Sequence, residues 1–216
     1  MTAASLAWLL DTGIALFAFP LPSYAIFFPV RAYAVLAAAT VLLLPSRLRP
    51  TAWWLAAVAA AAGALSLWAA YRPLSTGLAT GLALATAMSI PGALLARWPE
   101  RSSWLTAGIA GLCASVLLAL TGSVRLATEC LLISLPMLAL TGRPMGTDGA
   151  RAVGLLLGLA VGCGVIFSEL GLLALVPLLC LLAAPLGGWR GPLLATAIAA
   201  AGIAPVAVSW LREPPF

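Results

Sequence analysis

The sequence contains no histidine, lysine, asparagine or glutamine. Without histidine there is no bis-His haem, no His-ligated zinc or copper, and no Ser-His or Cys-His dyad. Without lysine there is no Schiff-base amine and no Walker A phosphate loop. Charge of either sign is scarce as well: 11 Arg and 6 Asp or Glu in 216 residues, 8% of the chain. A soluble domain averages about 25% charged and about 45–50% apolar residues. Here 63% of residues are apolar and the mean hydropathy is +1.13. Such a chain could not cover itself with polar surface in water, and the expected class is an integral membrane protein.

What is present divides the chain regularly. A hydrocarbon layer of about 30 Å needs roughly 20 helical residues at 1.5 Å each. Proline, glycine and charge punctuate the apolar runs at Pro20-Leu21-Pro22, at 46–50, 71–73 and 98–102, at Gly122, at 142–149, at Ser168-Glu169 and at 187–191. Proline removes a helix donor and glycine accepts dihedrals that other residues refuse, so these breaks have a mechanism. The expected helices are 4–19, 23–45, 51–70, 75–97, 103–121, 123–141, 150–167, 170–186 and 191–211. Long apolar runs such as 155–167 do not alternate, which argues against a β-barrel. The expectation is an all-α, polytopic bundle of about nine transmembrane helices (eight to nine, since the first and eighth are short). The whole chain, 1–216, forms one membrane domain, with no soluble domain.

Arginine sets the expected orientation. Alternate loops collect Arg47, Arg49, Arg97, Arg101, Arg143, Arg151 and Arg190 on one side against Arg72, Arg125 and Arg212 on the other. The richer side faces the cytoplasm, which puts the N-terminus inside and the C-terminus outside. No basic residue precedes the first apolar run and Asp11 interrupts it, so it reads as a retained helix, not a cleaved signal. Arginine to the exclusion of lysine, with abundant Ala and Leu, points to a GC-rich bacterial genome and an inner-membrane location. The +5 charge follows the loop bias and implies no nucleic-acid partner.

The four cysteines, Cys113, Cys130, Cys163 and Cys180, fall in four different expected helices without a CxxC pair. They read as small apolar packing residues, and no metal or other cofactor is expected. Small residues mark packing faces more clearly. Gly154, Gly158 and Gly162 recur at i, i+4 and i+8, where close backbone approach drives association in lipid. Similar rows run through Gly77, Gly81, Ala85 and Ser89, and through Ala107, Gly111 and Ser115. Packing within the bundle is favoured over a homodimer seam.

A charge near the bilayer centre costs at least about 2.5–3.5 kcal/mol on insertion scales, so each one asks for a partner or a role. Asp11 and Arg31 flank the Pro20-Leu21-Pro22 turn at nearly equal separation, which puts them at matched depth as an expected ion pair. Arg125 and Glu129 are i and i+4 on one helix face. Glu169 lies in the next outer turn. Asp11, Arg31, Arg125, Glu129 and Glu169 are therefore the candidate substrate- or ion-binding residues, gathered toward the outer side as a polar cavity.

The favoured functional expectation is a small permease or ion-coupled transporter, supported by Pro29, Pro91, Pro136, Pro177 and Pro205 inside helices and by intramembrane carboxylates. The alternative is a non-catalytic membrane subunit that scaffolds a larger complex. An enzyme is not expected. Without His and Lys, and without a DxxD carboxylate cluster for a metal–pyrophosphate, little acid–base or metal chemistry is left. The expected partners are the lipid bilayer and other membrane subunits or a second copy.

Overall fold

A computed structural model describes Ala7, Leu10, Asp11, Ile90, residues 94–98, 103–143, 145–167 and 170–212. Apart from Ala7, Leu10 and Asp11, the expected helices over 4–19, 23–45, 51–70 and most of 75–97 lie outside these residues. Among the described residues all regular structure is helical and there is no strand. Five long helices follow one another: α1 Trp104–Leu120, α2 Val124–Ala139, α3 Gly146–Phe167, α4 Leu175–Gly187 and α5 Gly191–Arg212. Short 3-10 turns, Gly171–Ala174 and Gly188–Arg190, lead into α4 and α5.

The turn between α1 and α2 shows why the sequence breaks there. Gly122 has φ +87, in the left-handed region. Ser123 N–H donates to Leu118 O at 2.8 Å and Gly122 N–H to Ala119 O at 3.2 Å. This is a Schellman closure, which satisfies carbonyls that the helix end would otherwise leave without donors. Gly188, with φ +55, makes the corresponding break after α4.

The start of α3 departs from the expected 150. The helix begins at Gly146, and Asp148 lies in its first turn. A carboxylate there complements the positive end of the helix dipole, so this polar stretch extends the helix instead of ending it. Pro136 and Pro205 lie inside α2 and α5, which continue past them. Pro177 falls in the first turn of α4, where a missing N–H costs no intrahelical bond.

Helix α1 is the hub, packed against all four of the others. It has no single apolar stripe, and Trp104, Ala107, Ala110, Cys113, Ala114, Leu117 and Leu118 are buried around it. A helix that is apolar all round belongs inside. Helices α1 and α2 run antiparallel, with Ser115 opposite Ala127, Gly111 opposite Ser134 and Gly108 opposite Leu138. Helix α3 runs parallel to α1, since Leu157 meets Gly111 and Gly164 meets Leu118.

The stretch Gly171–Arg212 is 42 residues long and contains an 18-residue window of mean hydropathy 2.1. Among the described residues it is the one helical stretch long and apolar enough to cross a membrane. As a straight rod it would measure about 63 Å, twice a hydrocarbon layer. Gly188 instead folds it into a hairpin: Gly191 packs on Ala184, Cys180 on Ala195, and Gly202 on Val176. Its outer faces carry Leu172, Leu175, Leu179, Leu186, Leu193 and Leu211, all exposed.

Candidate functional site

The charged centre of the described residues lies in the first two turns of α2. Arg125 Nε is 3.6 Å from Glu129 Oε1, and the two side chains are 16% and 10% exposed. Around them the same helix buries Leu126, Ala127, Cys130, Ile133, Ser134 and Met137. The pair therefore sits at the edge of an apolar core, where charges attract more strongly than in water and are costlier to separate.

Helix stability does not explain the order of these two residues. A cation in the first turn opposes the helix dipole, and acid-before-base is the better i, i+4 arrangement. Glu129 is nonetheless buried. Glu129 lies seven residues beyond Gly122, about 10 Å along the helix from the turn.

Hydroxyl groups surround the same turns. Thr128 Oγ1 donates to Val124 O at 2.8 Å, Ser115 Oγ of α1 donates to Ala127 O at 2.7 Å, and Ser134 Oγ donates to Cys130 O. Carbonyls at i, i+3 and i+6 of α2 thus each accept a hydroxyl. Ser115 and Ser134 bring two hydroxyls into the α1–α2 seam.

The other candidates fall differently. Asp11 is in a helical turn and exposed. Arg31 and Glu169 lie outside the described residues, and with them the Asp11–Arg31 pairing. Gly154 and Gly158 are buried in α3, while the surroundings of Gly162 are also outside the described set.

Two features were not read from the sequence. The row Gly191, Ala195, Ala199 and Gly202 faces α4; its first three members are buried and Gly202 packs on Val176. The small-residue rule that singled out Gly154 would have found it, because the spacing is 4, 4 and 3. The second feature is a thiol hydrogen bond across the hairpin, made by Cys180. Cys113, Cys130 and Cys180 are buried, in α1, α2 and α4. Cys180 Sγ donates to Ala195 O at 3.3 Å, from α4 to α5. No group of three or more metal-ligating side chains occurs among the described residues.

Compared with protein-family models, curated proteins and solved structures, the chain matches none of them.

Proposed function

We propose that the chain is a multi-pass membrane protein of about nine helices acting as a small permease or ion-coupled transporter. In this reading it resides in a bacterial inner membrane, with the N-terminus cytoplasmic and a polar cavity open to the outer side. The observation that carries the reading is the Arg125–Glu129 pair, a carboxylate 7% exposed within a bundle otherwise built from apolar and small residues. Burial of an ionisable group in an apolar bundle is costly, and such groups mark ion and substrate pathways. Glu129 would carry the coupling proton or cation, and Arg125 would neutralise the empty carboxylate. Asp11, Arg31 and Glu169 would complete the polar cavity.

Reconstitution tests this. Liposomes containing the purified chain should take up a solute in response to an imposed proton gradient, screened across amino acids, sugars and small cations. Glu129→Gln should abolish the gradient-driven component while the protein still purifies folded. Gradient-driven uptake that is unaffected by Glu129→Gln would remove Glu129 from the coupling role.

A scaffold subunit is the second reading, supported by the exposed leucines of the α4–α5 hairpin. Stoichiometric co-purification with other membrane proteins in mild detergent would favour it.

A further inference from the structure

The α4–α5 turn presents a basic and aromatic surface far along the chain from the charged pair. Gly188, with its left-handed φ, turns the backbone, and Trp189 and Arg190 that follow are exposed, the tryptophan by 81%. Arg190 Cζ lies 4.8 Å from the centre of the Trp189 ring, a cation–π contact. A guanidinium carries its N–H donors in a planar fork, and a ring contact leaves most of them free for a phosphate. No carboxylate pairs with Arg190 among the described residues.

Packing puts this turn at a defined end of the bundle. Leu170 and Leu118 both lie against Gly164, so α4 begins near the end of α1 and returns along it. The α4–α5 turn therefore lies toward the start of α1. So does the α2–α3 turn, where Arg143 is exposed, because α2 is antiparallel to α1. The acid at this end, Asp148, is half-buried in the first turn of α3. From here α5 runs 22 residues, about 33 Å, to exposed Trp210 and Arg212. A tryptophan and an arginine thus mark both ends of a helix about as long as a hydrocarbon layer is thick, as interfacial anchors do. Leu186 on α4 and Leu193 on α5, 77% and 69% exposed, flank the turn on the apolar side.

We propose that the α4–α5 turn binds the headgroup of an anionic phospholipid. Arg190, braced on Trp189, holds the phosphate, and Leu186 and Leu193 border the acyl chains. This site rests on the membrane part of the function proposed above, and not on transport. In that orientation the turn faces the cytoplasmic leaflet, where basic side chains attract anionic lipids. A zwitterionic headgroup brings its own cation, which Arg190 and Arg143 repel. An anionic one leaves the phosphate charge for them to neutralise. A protein partner would not need anchors spaced by a bilayer.

Two measurements on the full chain separate the site from the membrane reading. Flotation with neutral phosphatidylcholine vesicles reads membrane residence alone, and the chain should float. Native mass spectrometry from detergent, with equal phosphatidylglycerol and phosphatidylcholine, reads the headgroup. Phosphatidylglycerol should be retained about fivefold over phosphatidylcholine, the preference one arginine near the surface supplies. Arg190→Gln should remove that preference, and Arg190→Lys, which keeps the charge without the fork, should keep part of it. A chain that floats but shows no preference, or keeps it in Arg190→Gln, overturns the site alone. A chain that does not float overturns the site and the membrane reading together. Displacement of the lipid by inorganic phosphate would mean a free-anion site, and burial of Trp189 in a lipid-free dimer would assign the turn to a second copy; either overturns the proposal. If Arg190→Gln does not fold, Trp189→Leu carries the test: a weakened preference supports the site and a full one overturns it.

Discussion

Gly111 lies so close to Ser134 that a Cβ on the glycine would overlap the serine hydroxyl, with Ser134 Cβ at 3.0 Å and a Leu157 methyl at 3.2 Å. Three helices, α1, α2 and α3, converge on this one missing side chain. In lipid there is little hydrophobic drive between helices, so such close approach is what holds them together. Gly111→Ala should lower stability by about 1–3 kcal/mol, the usual cost of overpacking. Ser134→Gly in the same chain should recover part of that loss, because it removes the overlapping atoms. Thermal unfolding in detergent of the two single variants and the double variant measures both. Additive losses would place the strain elsewhere.

The α4–α5 hairpin offers a contrast between backbone and side-chain contact. A Cβ on Gly191 would meet Ala184 Cα at 2.8 Å and Ala183 O at 3.1 Å. The three atoms nearest to one on Gly202 are all in the Val176 side chain, at 2.5–3.1 Å. Backbone cannot step aside, so Gly191→Ala should destabilise the protein more than Gly202→Ala. Val176→Ala should rescue Gly202→Ala and do nothing for Gly191→Ala. The same unfolding measurement decides it, and rescue of Gly191→Ala by Val176→Ala would contradict the hairpin register.

For the charged pair, removing one member of a buried ion pair typically costs about 3–5 kcal/mol, because the other is left alone. Arg125 and Glu129 are each still 10–16% exposed, so the lower end of that range is expected here. Arg125→Ala should reduce folded yield. The double variant Arg125→Ala, Glu129→Ala should lose less than the sum of the singles. Additivity would mean that the two charges stabilise the fold independently. Transport by a double variant that still folds separates a structural pair from a functional one.

Topology is checked without any assay of activity. Reporter fusions near Gly146 and at Phe216 should report opposite sides of the membrane, the first cytoplasmic. Agreement between the two would mean that the number of crossings after residue 150 is off by one.

Much of the helical plan was legible because helix breakers act locally. Gly122, Gly142 and the Gly187-Gly188 pair end their helices within a residue or two of the expected places, since left-handed φ values and missing donors need no tertiary partner. The start of α3 was missed because a polar stretch reads as loop unless its charges suit a helix N-terminus, as Asp148 does. The i, i+4 placement of Arg125 and Glu129 was equally local.

The sequence by itself determined the all-helical class, the helix ends at Gly122, Gly142 and Gly187-Gly188, and the shared face of Arg125 and Glu129. All of these follow from composition, breakers and the 3.6-residue period. Only the tertiary structure decided that α1 is the hub, that Ser134 fills the space left by Gly111, and that the Cys180 thiol reaches Ala195 O. A uniformly apolar helix has no stripe to say which side faces which neighbour, so partner choice rests on the fit of small residues and backbone between segments far apart in the chain.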